Sequence, residues 1–268
     1  MSNTLTRIIS GAVIVIITAF VVVCATVFKL PIVLTAFLAF AAAMVVYEIF
    51  NNTGIIKNKA IIVCGIIYAA VVQFVYSYIP QFVFYFSLIY GFLAIVIFGY
   101  TQKQFNYKRV LYTVFLPVII SFCFNCIQVI LNIGLMHLIL MLNFSSVCDC
   151  GAYFTGVTIG KHKLAPKISP KKTIEGAIGG IILSCLVTII IIGIFNVNTR
   201  VLGLIAITPV LCIAGMAGDL LASYVKRRVG IKDYGKIIPG HGGIMDRFDS
   251  ILLIAPIYVI LLSVLGVA

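Results

Sequence analysis

The chain has 268 residues, of which 63% are hydrophobic and only 10% charged, with a formal net charge of +12. Soluble globular domains carry about a quarter charged residues, so this composition excludes an ordinary water-soluble fold. A basic balance can suit nucleic acid, but here the cations fall in short loops between apolar runs, and no nucleic-acid partner is expected.

Nine apolar runs approach or exceed the roughly 20 residues needed to cross a bilayer. They cover about 8–28, 31–50, 60–79, 82–100, 110–131, 135–158, 175–195, 201–224 and 249–267. None shows the period-two alternation of a membrane barrel strand. The first run lacks a small-residue cleavage site and is too long for a signal-peptide core, so it is expected to be retained. The predicted fold is all-α: a polytopic membrane protein of about nine transmembrane helices.

An odd number of spans puts the termini on opposite sides. Of the nineteen lysines and arginines, only Lys29 and Arg200 fall on the side away from the N-terminus. The positive-inside rule then predicts a cytoplasmic N-terminus and an outside C-terminus. The bias also uses Arg7, Lys57, Lys59, Lys103, Lys108 and Arg109, but eleven of the cations crowd into two loops, 160–174 and 225–248. Such loops attract anionic headgroups or phosphorylated substrates.

Acids are distributed differently. Six of the seven lie between positions 149 and 249, and Glu48 is the only one before them. Residues 1–134 therefore read as a transmembrane scaffold, and residues 135–268 as a catalytic region with two cytoplasmic loops. Cys123-x-x-Cys126 and Cys148-x-Cys150 carry a thiolate-metal reading, but nearly all eight cysteines lie inside apolar runs and are expected as packing residues.

Three stretches carry chemistry. In 149-DCGAYFTGVTIGKHKLAPKISPKKTIEGAIGG-180, Asp149 sits inside an apolar segment, where a carboxylate costs about 2.5–3.5 kcal/mol and calls for a partner or a polar cavity. The loop beyond it offers Lys161, Lys163, Lys167, Lys171 and Lys172, with Ser169 and Thr173 as hydroxyl donors. Glu175 opens the seventh span, where the helix dipole favours an acid. In 218-GDLLASYVKRRVG-230, helical spacing puts Asp219, Ser223 and Lys226 on one face, after Gly215 and Gly218 that permit close approach or serve helix packing. In 232-KDYGKIIPGHGGIMDRFDS-250, Pro239-Gly240 signals a turn, and the N–H groups of Gly242 and Gly243 are expected to face an anionic oxygen. His241 suits phosphate binding or proton transfer as well as a structural place, and Asp246 and Asp249 are expected on one helical face, with Arg247 between them. Carboxylates without Cys or His ligands suit a hard cation such as Mg2+. Mg2+ with surrounding lysines suits phosphoryl or nucleotidyl transfer.

The run 223-SYVKRRVGIKDYGKIIPGHGGIMDRFD-249 closely resembles the signature of the phosphatidate cytidylyltransferases, also called CDP-diacylglycerol synthases. The positions that fit are Ser223, Lys226, Arg227, Lys232, Asp233, Pro239, Gly240, His241, Gly242, Gly243, Asp246, Arg247 and Asp249. The run 160-GKHKLAPKISPKKTIEG-176 resembles bacterial members of the family, as does Asp149 followed by Gly151-Ala152-Tyr153; Cys150 replaces an expected Ser or Thr. The resemblance implies transfer of CMP from CTP to phosphatidate, giving CDP-diacylglycerol and pyrophosphate. It also implies Mg2+, a second cation (K+ or another Mg2+), a homodimer, and a bacterial cytoplasmic membrane with the active site facing the cytoplasm. Its residues take roles: Asp219, Asp246 and Asp249 as metal ligands, and Asp219, Asp246, Lys226, Arg247 and His241 as catalytic groups. Lys167, Ser169, Lys171, Lys172, Ser223, Arg227, Gly242, Gly243 and Asp149 would bind substrate. Asp233 fits the signature but has no evident physical role. The alternatives are a CTP-dependent kinase of polyprenol or phytol, an ion-coupled transporter, and a scaffold for anionic lipid.

Overall fold

The computed structural model describes residues 3–54, 56, 58–101, 107–197 and 200–267, with side chains described from Thr6 and from position 9 onward. Lys57, Lys103 and the side chain of Arg7, which entered the charge count, lie outside the described residues. Among the described residues, nine stretches are long and apolar enough to cross a membrane: Ile9–Thr26, Pro31–Asn52, Lys59–Tyr78, Pro80–Thr101, Tyr107–Ile133, Leu135–Ile159, Ile174–Ile194, Val201–Val229 and Met245–Val264. The chain is a polytopic helical membrane protein, and every expected span is present. It divides into two compact units: residues 1–128 with 233–247, and residues 129–232 with 248–268.

The first unit is built from α1 (Asn3–Thr26), α2 (Pro31–Asn52), α3 (Lys59–Tyr78), α4 (Val83–Thr101) and α5 (Tyr107–Ile133) through Gln128. Pro31 occupies the first turn of α2, where its missing N–H removes no helical bond. Asn58 caps α3 by accepting from Ala60 N at 2.8 Å. Without a hydrophobic force between helices in lipid, small residues and polar contacts determine the packing. Gly65 of α3 faces the Phe50 ring of α2, which a Cβ would meet at 2.9 Å. Tyr68 stacks on Tyr90 at 4.1 Å between centroids, and the Tyr90 hydroxyl donates to Thr113 O at 2.6 Å. Gln128 Nε2 donates to Thr35 Oγ1 at 3.0 Å, joining α5 to α2.

The second unit begins with a broken span. Helix α6 (Leu135–Leu142) passes through a π-helical turn at Asn143–Val147 into α7 (Cys148–Ile159). Asn143 Nδ2 stabilises the turn by donating to Ser184 O at 3.1 Å and Thr188 Oγ1 at 3.0 Å. The unit then continues through α8 (Ile174–Ile194) and α9 (Val201–Val229) and ends with α11 (Ile251–Val264); the short α10 (Met245–Phe248) belongs to the first unit up to Arg247. Helices α7 and α8 meet through glycines: a Cβ on Gly180 would clash with the carbonyl of Cys148, and one on Gly151 would lie 3.0 Å from Gly180 Cα.

Two stretches expected as loops are partly ordered as regular structure, and the all-α expectation misses a small sheet. Residues 163–173 form an antiparallel hairpin of β1 (Lys163–Ala165) and β2 (Ser169–Thr173), with Ala165 opposite Ser169 and Lys163 opposite Thr173. Pro166 occupies the turn, closed by Ile168 N donating to Ala165 O at 3.2 Å. Helix α9 runs five residues beyond the expected end at 224, until Gly230 ends it at φ 80°.

Gly180→Ala should lower the thermal midpoint in detergent by several degrees, because backbone must move to admit the methyl group. Gly193→Ala in α8, where a Cβ meets nothing within 4 Å, should leave the midpoint unchanged or slightly raised.

Candidate active site

In the second unit the charged groups converge around Asp219. Helix α9 places Ser223 Oγ 3.4 Å from Asp219 Oδ1, and the buried Lys226 follows on the same face. On β2, Lys171 is exposed and Lys172 is turned inward, where its Nζ lies 2.5 Å from Asp219 Oδ2. Asp149, on α7 just after the π-turn, is close enough to both Lys172 and Asp219 to feel their charges. The site therefore gathers two carboxylates around one inward lysine.

Asp249 completes this group by a route that the sequence did not suggest. It was expected to share a helical face with Asp246, but the helix breaks at Asp249-Ser250 between α10 and α11. The break packs against Gly218, where an added Cβ would lie 2.6 Å from Asp249 O. The missing side chain of Gly218 thus admits the backbone of 249–250 to α9, and this places the Asp249 side chain beside Asp219. Gly215 serves the same packing against Ile254.

Lys167 and Lys171 stand exposed on the hairpin, Ser169 is half-buried, and Arg227 is exposed at the end of α9. The hairpin is tied down by Glu175, which does more than open α8. Its carboxylate accepts from Lys161 N and His162 N at 3.1 Å and meets His162 Nδ1 at 2.5 Å. Thr173 caps α8 by accepting from Gly176 N at 3.1 Å.

The rest of the signature lies in the first unit. Ile238-Pro239-Gly240-His241 is a tight turn, with His241 N donating to Ile238 O at 3.0 Å and Gly240 at φ 78°. The Gly243 N–H faces an anionic oxygen, as expected, and that oxygen belongs to the protein itself. The N–H group donates to Asp246 Oδ2 at 3.0 Å, as does Tyr234 N at 2.8 Å. Asp246 closes its own loop, and Gly242, at φ 87°, permits the turn that brings it there. One ring nitrogen of His241 is also engaged, with Nδ1 2.7 Å from Ser10 Oγ of α1. Arg247 Nη2 donates to His241 O at 2.7 Å. Asp233 lies exposed beside Gly242.

Sequence reasoning passed over Glu48, which it assigned to scaffold. Its carboxylate is fully buried and accepts from Ile244 N at 2.9 Å and Met245 N at 2.8 Å. The signal was available, because an acid inside an apolar span is a functional candidate by default.

Among the described residues, no three His, Cys, Asp or Glu side chains gather as a ready metal cage. This suits Mg2+, which binds through one or two carboxylates and takes its remaining oxygens from water and phosphate. Asp219 and Asp249 are the carboxylates that could hold such an ion.

With the geometry described, the chain can be compared with known proteins. Residues 5–265 match the cytidylyltransferase family, and the chain belongs to that family. It is 51% identical over 114 residues to the phosphatidate cytidylyltransferase of Staphylococcus haemolyticus strain JCSC1435, a stretch covering 42% of this chain and 44% of that protein. To the phosphatidate cytidylyltransferase of Staphylococcus aureus strain COL it is 45% identical over 129 residues, 48% of this chain and 50% of the relative. In these matches the chain spans about half the length of the curated relatives or less.

The anchor at Glu175 is open to a direct check. Glu175→Ala should raise the rate of tryptic cleavage within 161–172 by about 10-fold, since a locally opened segment is cut in proportion to its open population. Cleavage elsewhere should be unchanged.

Proposed function

We propose that this protein is a phosphatidate cytidylyltransferase, which transfers CMP from CTP to phosphatidate in bacterial phospholipid synthesis. The observation that carries this reading is the group formed by Asp149, Lys172, Asp219 and Asp249, assembled by a chain that bears the family signature.

The reaction asks little of a general base. A phosphatidate oxygen is already ionised near neutral pH and attacks the α-phosphorus of CTP. The bond from that phosphorus to the bridging oxygen breaks, and pyrophosphate leaves with the electron pair. The protein has to position the two anions and screen their repulsion. Lys167, Lys171 and Arg227 present cations to the phosphates, with Lys172 and Lys226 deeper beside Asp219. In the first unit the signature loop carries His241, Gly242, Gly243 and Arg247, and the Arg247 guanidinium is proposed as a further phosphate-binding cation. Mg2+, held by Asp219 and Asp249, would neutralise charge on the leaving pyrophosphate. Asp246 is proposed chiefly as the group that keeps its loop closed. The K+ or second Mg2+ implied by the family resemblance belongs to the same proposal, as does the homodimer.

The cation bias and the bacterial relatives support a place in the cytoplasmic membrane, with loops 160–174 and 225–248 facing the cytoplasm, where CTP is found. A cysteine at Lys236 should then react with an impermeant maleimide only after the inner face is opened. Labelling from the outer face of intact cells would overturn this orientation.

Purified protein given phosphatidate, Mg2+ and CTP labelled at the α-phosphorus should form labelled lipid, and γ-label should appear in pyrophosphate. Lipid carrying the γ-label would identify a lipid kinase instead. Asp219→Asn should lower turnover at least about 100-fold with the thermal midpoint little changed, as expected when a ligand of the charge-neutralising metal is lost. Near-normal turnover would remove Asp219 from the metal assignment.

A further inference from the structure

Glu48 lies about one turn from the C-terminal end of α2 and is 0% exposed. Among the described residues no lysine or arginine forms an ion pair with it. Its two oxygens are matched instead by two successive backbone donors, Ile244 N at 2.9 Å and Met245 N at 2.8 Å. These bonds join positions separated by 196 and 197 residues. Two glycines make the approach possible. A Cβ on Gly235 would collide with Glu48 Oε1, and one on Gly243 would lie 2.5 Å from Glu48 Oε2. The next residue of α2 in the same direction, Asn52, adds a hydrogen bond from its side-chain nitrogen to Tyr234 O.

The arrangement is reciprocal. A carboxylate inside an apolar span is costly unless hydrogen-bonded, and the loop supplies its donors. Two N–H groups at the start of α10 would in turn lack helical acceptors, and Glu48 supplies them. Asp246 uses the adjacent N–H of Gly243, so three consecutive amides, 243 to 245, are held by two carboxylates from different elements.

We propose that Glu48 is a positioning residue for the reaction: its carboxylate clamps the 233–247 loop to α2 and so holds His241, Gly242, Gly243 and Arg247 in one conformation. The inference rests on the phosphatidate cytidylyltransferase reading for what those loop residues do, but the clamp itself does not depend on it. A carboxylate that only stabilised α2 would not need Gly235 and Gly243 as its neighbours.

The test uses the full chain in detergent. Hydrogen exchange is followed without substrates, and turnover of CTP and phosphatidate is measured separately. In Glu48→Gln one acceptor oxygen becomes an NH2 group facing an amide donor. Exchange of the peptide covering 233–247 should then quicken about 10-fold, with α2 and α3 peptides unchanged. Turnover at saturating substrate should fall at least about 10-fold per folded molecule, with KM for CTP within about twofold, as expected when an interaction specific to the transition state is lost. Gly235→Ala, which displaces the carboxylate without removing it, should reproduce both effects, and Glu48→Asp should recover part of each. Unchanged loop exchange in Glu48→Gln would overturn the clamp. Faster exchange with full turnover, or exchange rising throughout α2 and α3, would overturn its positioning role. If the wild-type protein itself makes no CDP-diacylglycerol, the functional reading fails, while the exchange experiment still decides whether the clamp exists.

Discussion

A carboxylate placed among apolar helices must be compensated where it stands, because neither bulk water nor mobile counterions reach it. This constraint accounts for much of what is specific in the structure. Lys172 turns inward from its strand because Asp219 of α9 lies beside it. The hairpin carrying Lys172 is fixed because Glu175 takes the N–H groups of Lys161 and His162. The signature loop folds back on itself around Asp246, and onto α2 around Glu48. Each acid therefore acts as a structural joint as well as a charge.

The glycines follow from the same demand. Backbone donors reach a carboxylate only where no Cβ intervenes, and at Gly235 and Gly243 a Cβ would occupy the space of the Glu48 oxygens. Gly218 has a related use, since it admits the 249–250 break and with it the Asp249 side chain. In soluble proteins such glycines usually serve turns. Here several serve the close approach of one backbone to another element, which is the usual route to tight packing in lipid.

What was legible in the sequence was local. Apolar runs of bilayer length gave the spans, and the helical period put Asp219, Ser223 and Lys226 together, as α9 does. Both rest on interactions within a few residues. The hairpin was hidden because prolines and lysines at 163–172 also compose a good loop, and only strand pairing makes Lys172 differ from Lys171. Asp246 and Asp249 looked like one helical face, since nothing nearby announces the break at Asp249-Ser250. That break is allowed by Gly218, some thirty residues upstream on another helix.

Glu48 is the instructive omission. Asp149 was singled out as an acid too deep to be idle, and the same physical rule applies to Glu48. It was set aside because it is the only acid in residues 1–134, with no cation or motif beside it to give it a task. Its partners are amides, which every residue has and no sequence pattern marks. A buried acid paired with a lysine can be suspected from composition, because both members are conspicuous. One paired with backbone can be found only when the fold brings the donors to it. The isolation of an acid within an apolar span is therefore no sign of idleness, and it points instead to a partner that the sequence cannot show.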